Sequence, residues 1–149
     1  MRNKARQLLA ELERSGNYVF HGSSKRIDIF EPRQATNRKN GKPVPDDRPG
    51  IHASTLIDIA IFMAIVSEDN CHKKFHGSFS YYGEGNLVFE VTKETLDGLI
   101  EPVGYVYIFD RRDFKKRNAI EYIFYSPIKP IAHVEVGIDD MPAGIKLIS

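Results

Sequence analysis

The sequence lacks most features that would assign it to a specialised class of protein. Its single cysteine, Cys71, excludes an internal disulfide and a cysteine-rich zinc site, as is usual in a reducing compartment. It has no run of about 18 apolar residues, and its N-terminal residues lack the apolar stretch of a signal peptide. These absences indicate a soluble protein, which we expect in the cytoplasm and without a membrane partner.

The charge and composition are close to those of an average globular domain. Twenty-one basic and 20 acidic residues leave a net charge of +1, so no overall field attracts nucleic acid or membrane. The hydrophobic share of 42% and the charged share of 28% exclude wholesale disorder. With 149 residues and no linker or internal repeat, we expect a single domain over residues 1–149.

Hydrophobic periodicity predicts the elements of the chain. The first half is predicted to hold a helix over 3–14, short strands over 18–21 and 50–54, and a helix that Thr55 caps and that ends near Val66. Segments 25–49 and 67–85 have the composition of loops and are predicted to be loops. The second half changes to short strands over 86–92, 104–109, 119–126 and 131–136, with a helical turn over 93–99. This order indicates an α+β fold with a mostly β second half.

Three polar residues occupy strand positions where the pattern calls for apolar ones. His21 ends the first predicted strand on the same side as Val19, and His52 lies in the second strand. Glu121 lies in a strand with apolar residues on both faces, and burial of an unpaired charge costs several kcal/mol. Each residue taken alone also fits a structural role: a histidine bonded to a backbone carbonyl, or an edge-strand glutamate facing water.

The three segments together resemble the ADP-ribosyltransferase superfamily. In that family one strand ends in His-Gly-Ser or His-Gly-Thr, a second of the type Gly-Ile-Tyr-Phe-Ala precedes a helix, and a late strand carries the catalytic glutamate. The corresponding segments here are Tyr18-Val19-Phe20-His21-Gly22-Ser23, Gly50-Ile51-His52-Ala53-Ser54 and Ile120-Glu121-Tyr122-Ile123-Phe124-Tyr125-Ser126. The last is similar to Asn-Glu-Tyr-Ile-Val-Tyr-Asp of the poly-ADP-ribose polymerases. The resemblance implies a split, bent β-sheet clamp with a few flanking helices that binds NAD as co-substrate.

The resemblance also implies roles for single residues. His21 would donate a hydrogen bond to a ribose hydroxyl, the backbone of Gly22 would bind the nicotinamide amide, and Glu121 would bind the 2′-hydroxyl of the nicotinamide ribose. The ring of Phe62 would stack on the nicotinamide. The remaining residues that we expect near NAD are Ser23, Ser54, His52 and Arg33.

The implied chemistry requires these residue types. Loss of neutral nicotinamide leaves positive charge on the ribose, as in the transition states that glycosidases stabilise with carboxylates. A carboxylate about 4 Å away contributes on the order of 4 kcal/mol at an effective dielectric constant of 20, or about three decades of rate. Arg33 suits a pyrophosphate, which a guanidinium binds through two hydrogen bonds, although Arg26, Arg38 and Arg48 compete for that role.

Two departures from the family pattern bear on the acceptor. His52 stands where the eukaryotic polymerases have tyrosine. A histidine at this position is similar to the NAD-dependent RNA 2′-phosphotransferases. Those enzymes, however, generally have an apolar residue at the position of Glu121. Ala119 stands where arginine-modifying toxins place Glu or Gln, so we do not predict arginine modification.

Five cations precede the late strand and would attract a phosphate-bearing acceptor, or form only a solvated turn: Arg111, Arg112, Lys115, Lys116 and Arg117.

Three functions remain open at this stage. The first is a small, toxin-like mono-ADP-ribosyltransferase that passes ADP-ribose from NAD to a protein, nucleic acid or small-molecule acceptor. The second is an inactive relative that binds NAD or another nucleotide. The third is an RNA-directed enzyme, either a 2′-phosphotransferase or a nuclease in which His21 and His52 act as acid and base. We expect no metal, because Cys71, His72 and His76 are three ligands in a loop without a fourth.

Overall fold

The computed structural model describes residues 4–33, 36–39, 42–45, 49–83 and 85–148. These residues form an α+β fold, as predicted, with helices α1 (Lys4–Ser15), α2 (Ile57–Ile65) and α3 (Lys93–Asp97). Short 3-10 helices span Glu68–Asn70, Arg111–Asp113 and Ile138–Asp140. The strands are β1 (Tyr18–Ser23), β2 (Thr36–Lys39), β3 (Lys42–Pro45), β4 (Ile51–Ser54), β5 (Gly77–Tyr81), β6 (Leu87–Thr92), β7 (Val103–Asp110), β8 (Lys115–Lys116), β9 (Glu121–Phe124), β10 (Ala132–Gly137) and β11 (Lys146–Ile148).

The strands form two main sheets and a hairpin. The larger sheet has the order β10-β7-β1-β4-β9-β8, and all its neighbouring strands are antiparallel. A smaller sheet has the order β11-β6-β5, with β11 parallel to β6, and β2 pairs with β3 as a separate hairpin. Strands that are consecutive in the chain pair as β2 with β3, β5 with β6 and β8 with β9, and such antiparallel pairs need only short connections.

Alternation along β1 and β7 divides the core between the two faces of the larger sheet. Phe20 and Val106 face α1 and α2 and pack with Leu9 and Ile61. On the other face a second cluster comprises Val19, Phe30, Ile51, Ala53, Tyr107, Phe109, Phe114 and Tyr122. Both faces of β1 are therefore covered, and His21 lies on the same face as Val19, against Phe30 of the second cluster.

Several sequence predictions about the elements are wrong. The loop assigned to 25–49 contains the β2–β3 hairpin, and the loop assigned to 67–85 contains a 3-10 helix and β5. The first strand continues through Gly22 to Ser23 because it pairs with β7 along its whole length. The strand β8 lies in the charged segment before Glu121, and β11 lies in a tail in which no element was predicted. Pairing stabilises these strands, with a neighbouring strand for β2, β3, β5 and β8 and with a strand distant in sequence for β11, and local composition does not reveal it.

The prediction that Thr55 caps α2 is also wrong. The N-cap residue is Leu56, and its side chain makes no capping hydrogen bond. The Ser54 hydroxyl accepts a hydrogen bond from the Leu56 N–H at 3.0 Å, and the Glu13 carboxylate accepts one from the Ile57 N–H at 2.8 Å. A carboxylate from α1 therefore binds a free N–H at the start of α2, where the helix dipole favours negative charge.

None of the helices in the described ranges is long and apolar enough to cross a membrane.

Candidate functional site

A pocket opens in the larger sheet where β1 and β4 diverge. Within the described part of the chain these two strands share the single register pair Phe20–Ser54, whereas every residue of β1 pairs with β7. The cavity has a volume of about 320 Å³. Its lining comes from β1, β4, α2, β5, the turn before β9 and the first residue of β9: Phe20, His21, Gly22, His52, Ala53, Ser54, Ile59, Ala60, Met63, Phe79, Asn118, Ile120 and Glu121.

The ring of His21 lies in the gap between the two strands. Its Nδ1 is 2.6 Å from the backbone carbonyl oxygen of His52, and its edge packs against the ring of Phe30 at 5.0 Å between centroids. A carbonyl oxygen only accepts, so Nδ1 of His21 carries the proton and donates. This side chain thus supplies a hydrogen bond between β1 and β4 at a point where their backbones no longer pair.

The surroundings of His21 favour its neutral form. Burial lowers its pKa below the usual 6.5, the hydrogen bond to the His52 carbonyl acts in the opposite direction, and the charge of Arg33 lowers the pKa further. In the neutral ring with Nδ1 protonated, Nε2 has a lone pair and accepts hydrogen bonds. In this form Nε2 of His21 can only accept a hydrogen bond, whereas the sequence predicts that His21 donates one to a ribose hydroxyl.

The side chains of His52 and Glu121 contact each other inside the pocket. Nδ1 of His52 lies 3.1 Å from Oε2 of Glu121, and the two side chains are 26% and 34% exposed. The contact follows from register, because His52 pairs with Ile123 and Ser54 with Glu121 on adjacent strands. The structure thus brings together the three polar residues that sequence patterning selects, through bonds from His21 to the backbone of His52 and from His52 to Glu121.

A turn between β8 and β9 surrounds the other oxygen of Glu121. The amide nitrogen of Asn118 is 3.4 Å and the Nε of Arg117 is 3.7 Å from Oε1. The side-chain oxygen of Asn118 accepts hydrogen bonds from the backbone N–H groups of Ile120 and Glu121, at 3.1 and 3.0 Å. This turn fixes the start of β9, so the carboxylate lies between an imidazole and a guanidinium.

The remaining wall of the pocket is apolar. Met63 of α2 and Phe79 of β5 are each 38% exposed and line the cavity. Phe62, the expected stacking residue, has no exposed surface, lies outside the pocket lining and packs against Phe89 at 4.7 Å. A fully buried ring offers no face to a ligand, so the aromatic surface of this pocket belongs to Phe79. Sequence reasoning missed it within a segment interpreted as a loop.

The other residues expected near NAD fall into two groups. Gly22 and Ser54 line the pocket, and the Cα of Gly22 also packs against backbone atoms of Ala60 in α2. Ser23 and Arg33 lie outside the lining. The Ser23 hydroxyl accepts a hydrogen bond from Lys25, and Arg33 is exposed and bonds to Gly50 through backbone atoms.

The competing arginines have different positions. The guanidinium of Arg26 lies over the ring of Tyr105, 5.4 Å from its centroid. The side chain of Arg38 and the whole of Arg48 are outside the described part of the structure. Arg33 lies outside the pocket lining, and its charge makes a small contribution to the lowered pKa of His21.

The five cations expected to attract phosphate divide into two sets. Arg111 donates to the Tyr122 hydroxyl at 2.8 Å, and Arg112 pairs with Asp110 at 2.8 Å. The hydrogen bonds from Arg112 lower the pKa of Asp110 to about 2. Lys115 and Lys116 are exposed on β8, and Arg117 is beside Glu121. Arg117 thus lies at the pocket through its contact with Glu121, and Lys115 and Lys116 lie on the edge strand beside β9.

Comparison with known proteins found no matching family model, no matching curated protein and no matching solved structure. Over the described ranges, no group of three or more His, Cys, Asp or Glu residues has an arrangement that could hold a metal ion.

Proposed function

We propose that this protein cleaves the bond between nicotinamide and ribose in NAD and transfers the ADP-ribose to an acceptor. The observation that carries the proposal is the convergence of His21, His52 and Glu121 on one pocket between β1 and β4. This is the triplet that links the sequence to the ADP-ribosyltransferases. The divergence of these strands supports, within this proposal, the interpretation of the fold as a split-sheet clamp.

The pocket suits the nicotinamide-ribose half of NAD. A volume of about 320 Å³ is at the lower end of small-molecule pockets, so it suits part of a dinucleotide better than the whole. One wall offers a flat aromatic surface at Phe79, beside Met63. The opposite wall offers the polar groups of His21, His52 and Glu121, which suit sugar hydroxyls. The apolar wall would bind the base and the polar wall the ribose.

Glu121 would supply the electrostatic part of catalysis. NAD, when bound, provides a glycosidic bond whose cleavage leaves positive charge on the ribose. A carboxylate held beside that sugar stabilises the charge more in the transition state than in the ground state, so it raises kcat. The contact with His52 and the turn at Asn118 fix the carboxylate before the substrate arrives. Less reorganisation is then needed during the reaction.

His21 would orient the sugar. Its ring is held by the His52 carbonyl and by Phe30, so the remaining nitrogen has a fixed direction. A ribose hydroxyl can donate to that nitrogen and still accept a hydrogen bond elsewhere. This arrangement would hold the ribose near Glu121, which reduces the entropy cost of reaching the reactive geometry.

The acceptor would be phosphate-bearing. Lys115, Lys116 and Arg117 lie on β8 and on the turn that carries Asn118 to the pocket. Arg117 adds positive charge beside Glu121, and Lys115 and Lys116 add positive charge along the edge strand next to β9. Arg112 is paired with the Asp110 carboxylate, so it contributes less to the attraction of phosphate.

The decisive experiment measures nicotinamide release from NAD by wild type and by Glu121→Gln. Because glutamine keeps the shape and removes the charge, we expect kcat/KM to fall by about 100- to 1,000-fold. Glu135→Gln is the matched control, because Glu135 is an exposed carboxylate on β10, outside the pocket lining, and its loss should leave release unchanged.

Other outcomes would select a different function. Absence of nicotinamide release from wild type with every acceptor tried would contradict the proposal. Calorimetric binding of NAD without release would identify an inactive nucleotide-binding protein. Cleavage or dephosphorylation of RNA that survives Glu121→Gln, but is lost in His21 or His52 variants, would identify an RNA-directed enzyme.

A further inference from the structure

The two ring nitrogens of His52 lie in different environments. Nδ1 faces Oε2 of Glu121 at 3.1 Å. Nε2 is buried and, within the described residues, has no hydrogen-bond partner. The backbone carbonyl of the same residue accepts the hydrogen bond from His21, so β4 is held in place at this position. The backbone of His52 is therefore held by His21, and its imidazole makes its polar contact with Glu121.

Elementary hydrogen bonding determines which form of the ring fits this environment. A carboxylate only accepts, so Nδ1 must carry a proton to bond to Glu121. A proton on Nε2 would place a buried N–H without an acceptor, which costs roughly 1–3 kcal/mol. The neutral ring with its proton on Nδ1 therefore satisfies the site best.

We infer that His52 is a positioning residue: its Nδ1–H holds the Glu121 carboxylate in place, and its Nε2 exchanges no proton during the reaction. This inference rests on the proposed function. It assigns a role to His52, which the sequence analysis left open because the eukaryotic polymerases have tyrosine at this position. Asn118 and Arg117 contact the other carboxylate oxygen, Oε1, at 3.4 and 3.7 Å. His52 contacts Oε2 at 3.1 Å, so its Nδ1–H constrains the direction of the carboxylate at that oxygen.

Two substitutions distinguish this role from acid–base catalysis. Asparagine carries its amide nitrogen at the δ position, which is where histidine carries Nδ1, whereas glutamine carries its amide nitrogen at the ε position, like Nε2. His52→Asn therefore preserves a donor toward Glu121, and His52→Gln displaces it. Both variants remove the imidazole and keep a neutral amide, so each is the matched control of the other.

The experiment is a comparison of steady-state nicotinamide release by the two variants of the full chain. We expect His52→Asn to keep kcat within about fivefold of wild type and His52→Gln to lose about 10- to 100-fold, the value of a hydrogen bond to a charged group. The KM for NAD should change by less than about threefold in both, because the carboxylate acts mainly on the transition state. Equal losses in the two variants, or a more active glutamine variant, would overturn the inference.

A spectroscopic measurement tests the inference without any activity. In full-length protein labelled with ¹⁵N-histidine, the signals of His52, assigned by their loss in His52→Asn, should show a protonated Nδ1 and a bare Nε2 at pH 7.5. In Glu121→Ala this preference should disappear, because the acceptor is gone. A protonated Nε2 in wild type would overturn the inference. Since this test needs no turnover, its failure is distinct from the absence of nicotinamide release that would end the proposed function.

Discussion

Gly22 of β1 lies directly against Ala60 of α2, so that a Cβ on Gly22 would be 1.8 Å from the Ala60 carbonyl oxygen and 2.7 Å from the Ala64 nitrogen. Both atoms belong to the backbone of a helix and cannot rotate away. The glycine that the sequence associates with ligand binding is therefore also required by the packing of α2 on the sheet. Gly104 of β7 makes a similar approach, with 2.1 Å to the Ala64 carbonyl oxygen.

The first prediction concerns this contact. Gly22→Ala should lower the free energy of unfolding by at least about 3 kcal/mol, because the helix has to shift away from β1. Gly137→Ala is the control, because its added Cβ would lie 3.8 Å from the nearest neighbouring atom, in ordinary contact. Urea denaturation of both variants measures the difference. A Gly22→Ala protein as stable as Gly137→Ala would contradict the helix–strand geometry.

A second prediction concerns the aromatic wall. Phe79→Ala should weaken the binding of NAD by about 10-fold or more, because it removes the exposed ring that faces the pocket. Tyr82→Ala is the control: Tyr82 is close in sequence and 72% exposed but is not in the pocket lining. Calorimetric titration gives both affinities. Equal affinities for the two variants would mean that the base does not bind at Phe79.

A third prediction follows from the pKa of His21. Because burial lowers this pKa in the folded state, the unfolded chain takes up a proton below pH 6.5 that the folded protein does not. Stability from this residue is therefore present above pH 6.5 and is lost as the pH falls toward the folded pKa. The unfolding free energy should change with pH, through this residue, by at most about 1.4 kcal/mol per pH unit.

His21→Asn provides the comparison for that measurement. Asparagine keeps a donor for the His52 carbonyl and has no titrating group. Between pH 7.5 and 5.5, the unfolding free energy of wild type should fall more steeply than that of the variant. Parallel curves over this range would show that the His21 pKa is not lowered in the folded protein.

A fourth prediction concerns the start of α2. Glu13→Ala should cost about 0.5–2 kcal/mol of stability, because it removes the carboxylate that accepts from the Ile57 N–H. Thr55→Ala should cost less, since the Thr55 side chain does not cap the helix. Thermal melts of the two variants give the order. A larger loss of stability for Thr55→Ala than for Glu13→Ala would indicate that Thr55 caps α2, as the sequence predicts.

The sequence predicts those parts of the fold whose signals are local. The alternation in β1 and the spacing of apolar residues in α1 identify these elements within a few residues, and the polar residues within strands lead to His21, His52 and Glu121. The segment from Gly77 to Tyr81 alternates small and aromatic residues, and it becomes a strand only because it pairs with β6. Its ring at Phe79 could not be assigned to the pocket without that partner.

The misassignment of Phe62 has a related cause. Nearly every residue of α2 is apolar and most are buried, so the helix has no polar face that would indicate its orientation. Phe62 and Met63 are adjacent, yet the first has no exposed surface and the second lines the pocket. The packing of the helix against two sheets decides which of these two side chains faces the pocket. This packing depends on glycines distant in sequence.

The single pair between Phe20 and Ser54 leaves the larger sheet with little backbone pairing along the line of the pocket. Every other pair of adjacent strands in this sheet is joined at two or more positions. The hydrogen bond from His21 to the His52 carbonyl therefore adds a side-chain link at the seam between β10-β7-β1 and β4-β9-β8, so a residue of the candidate site also helps to hold the sheet together.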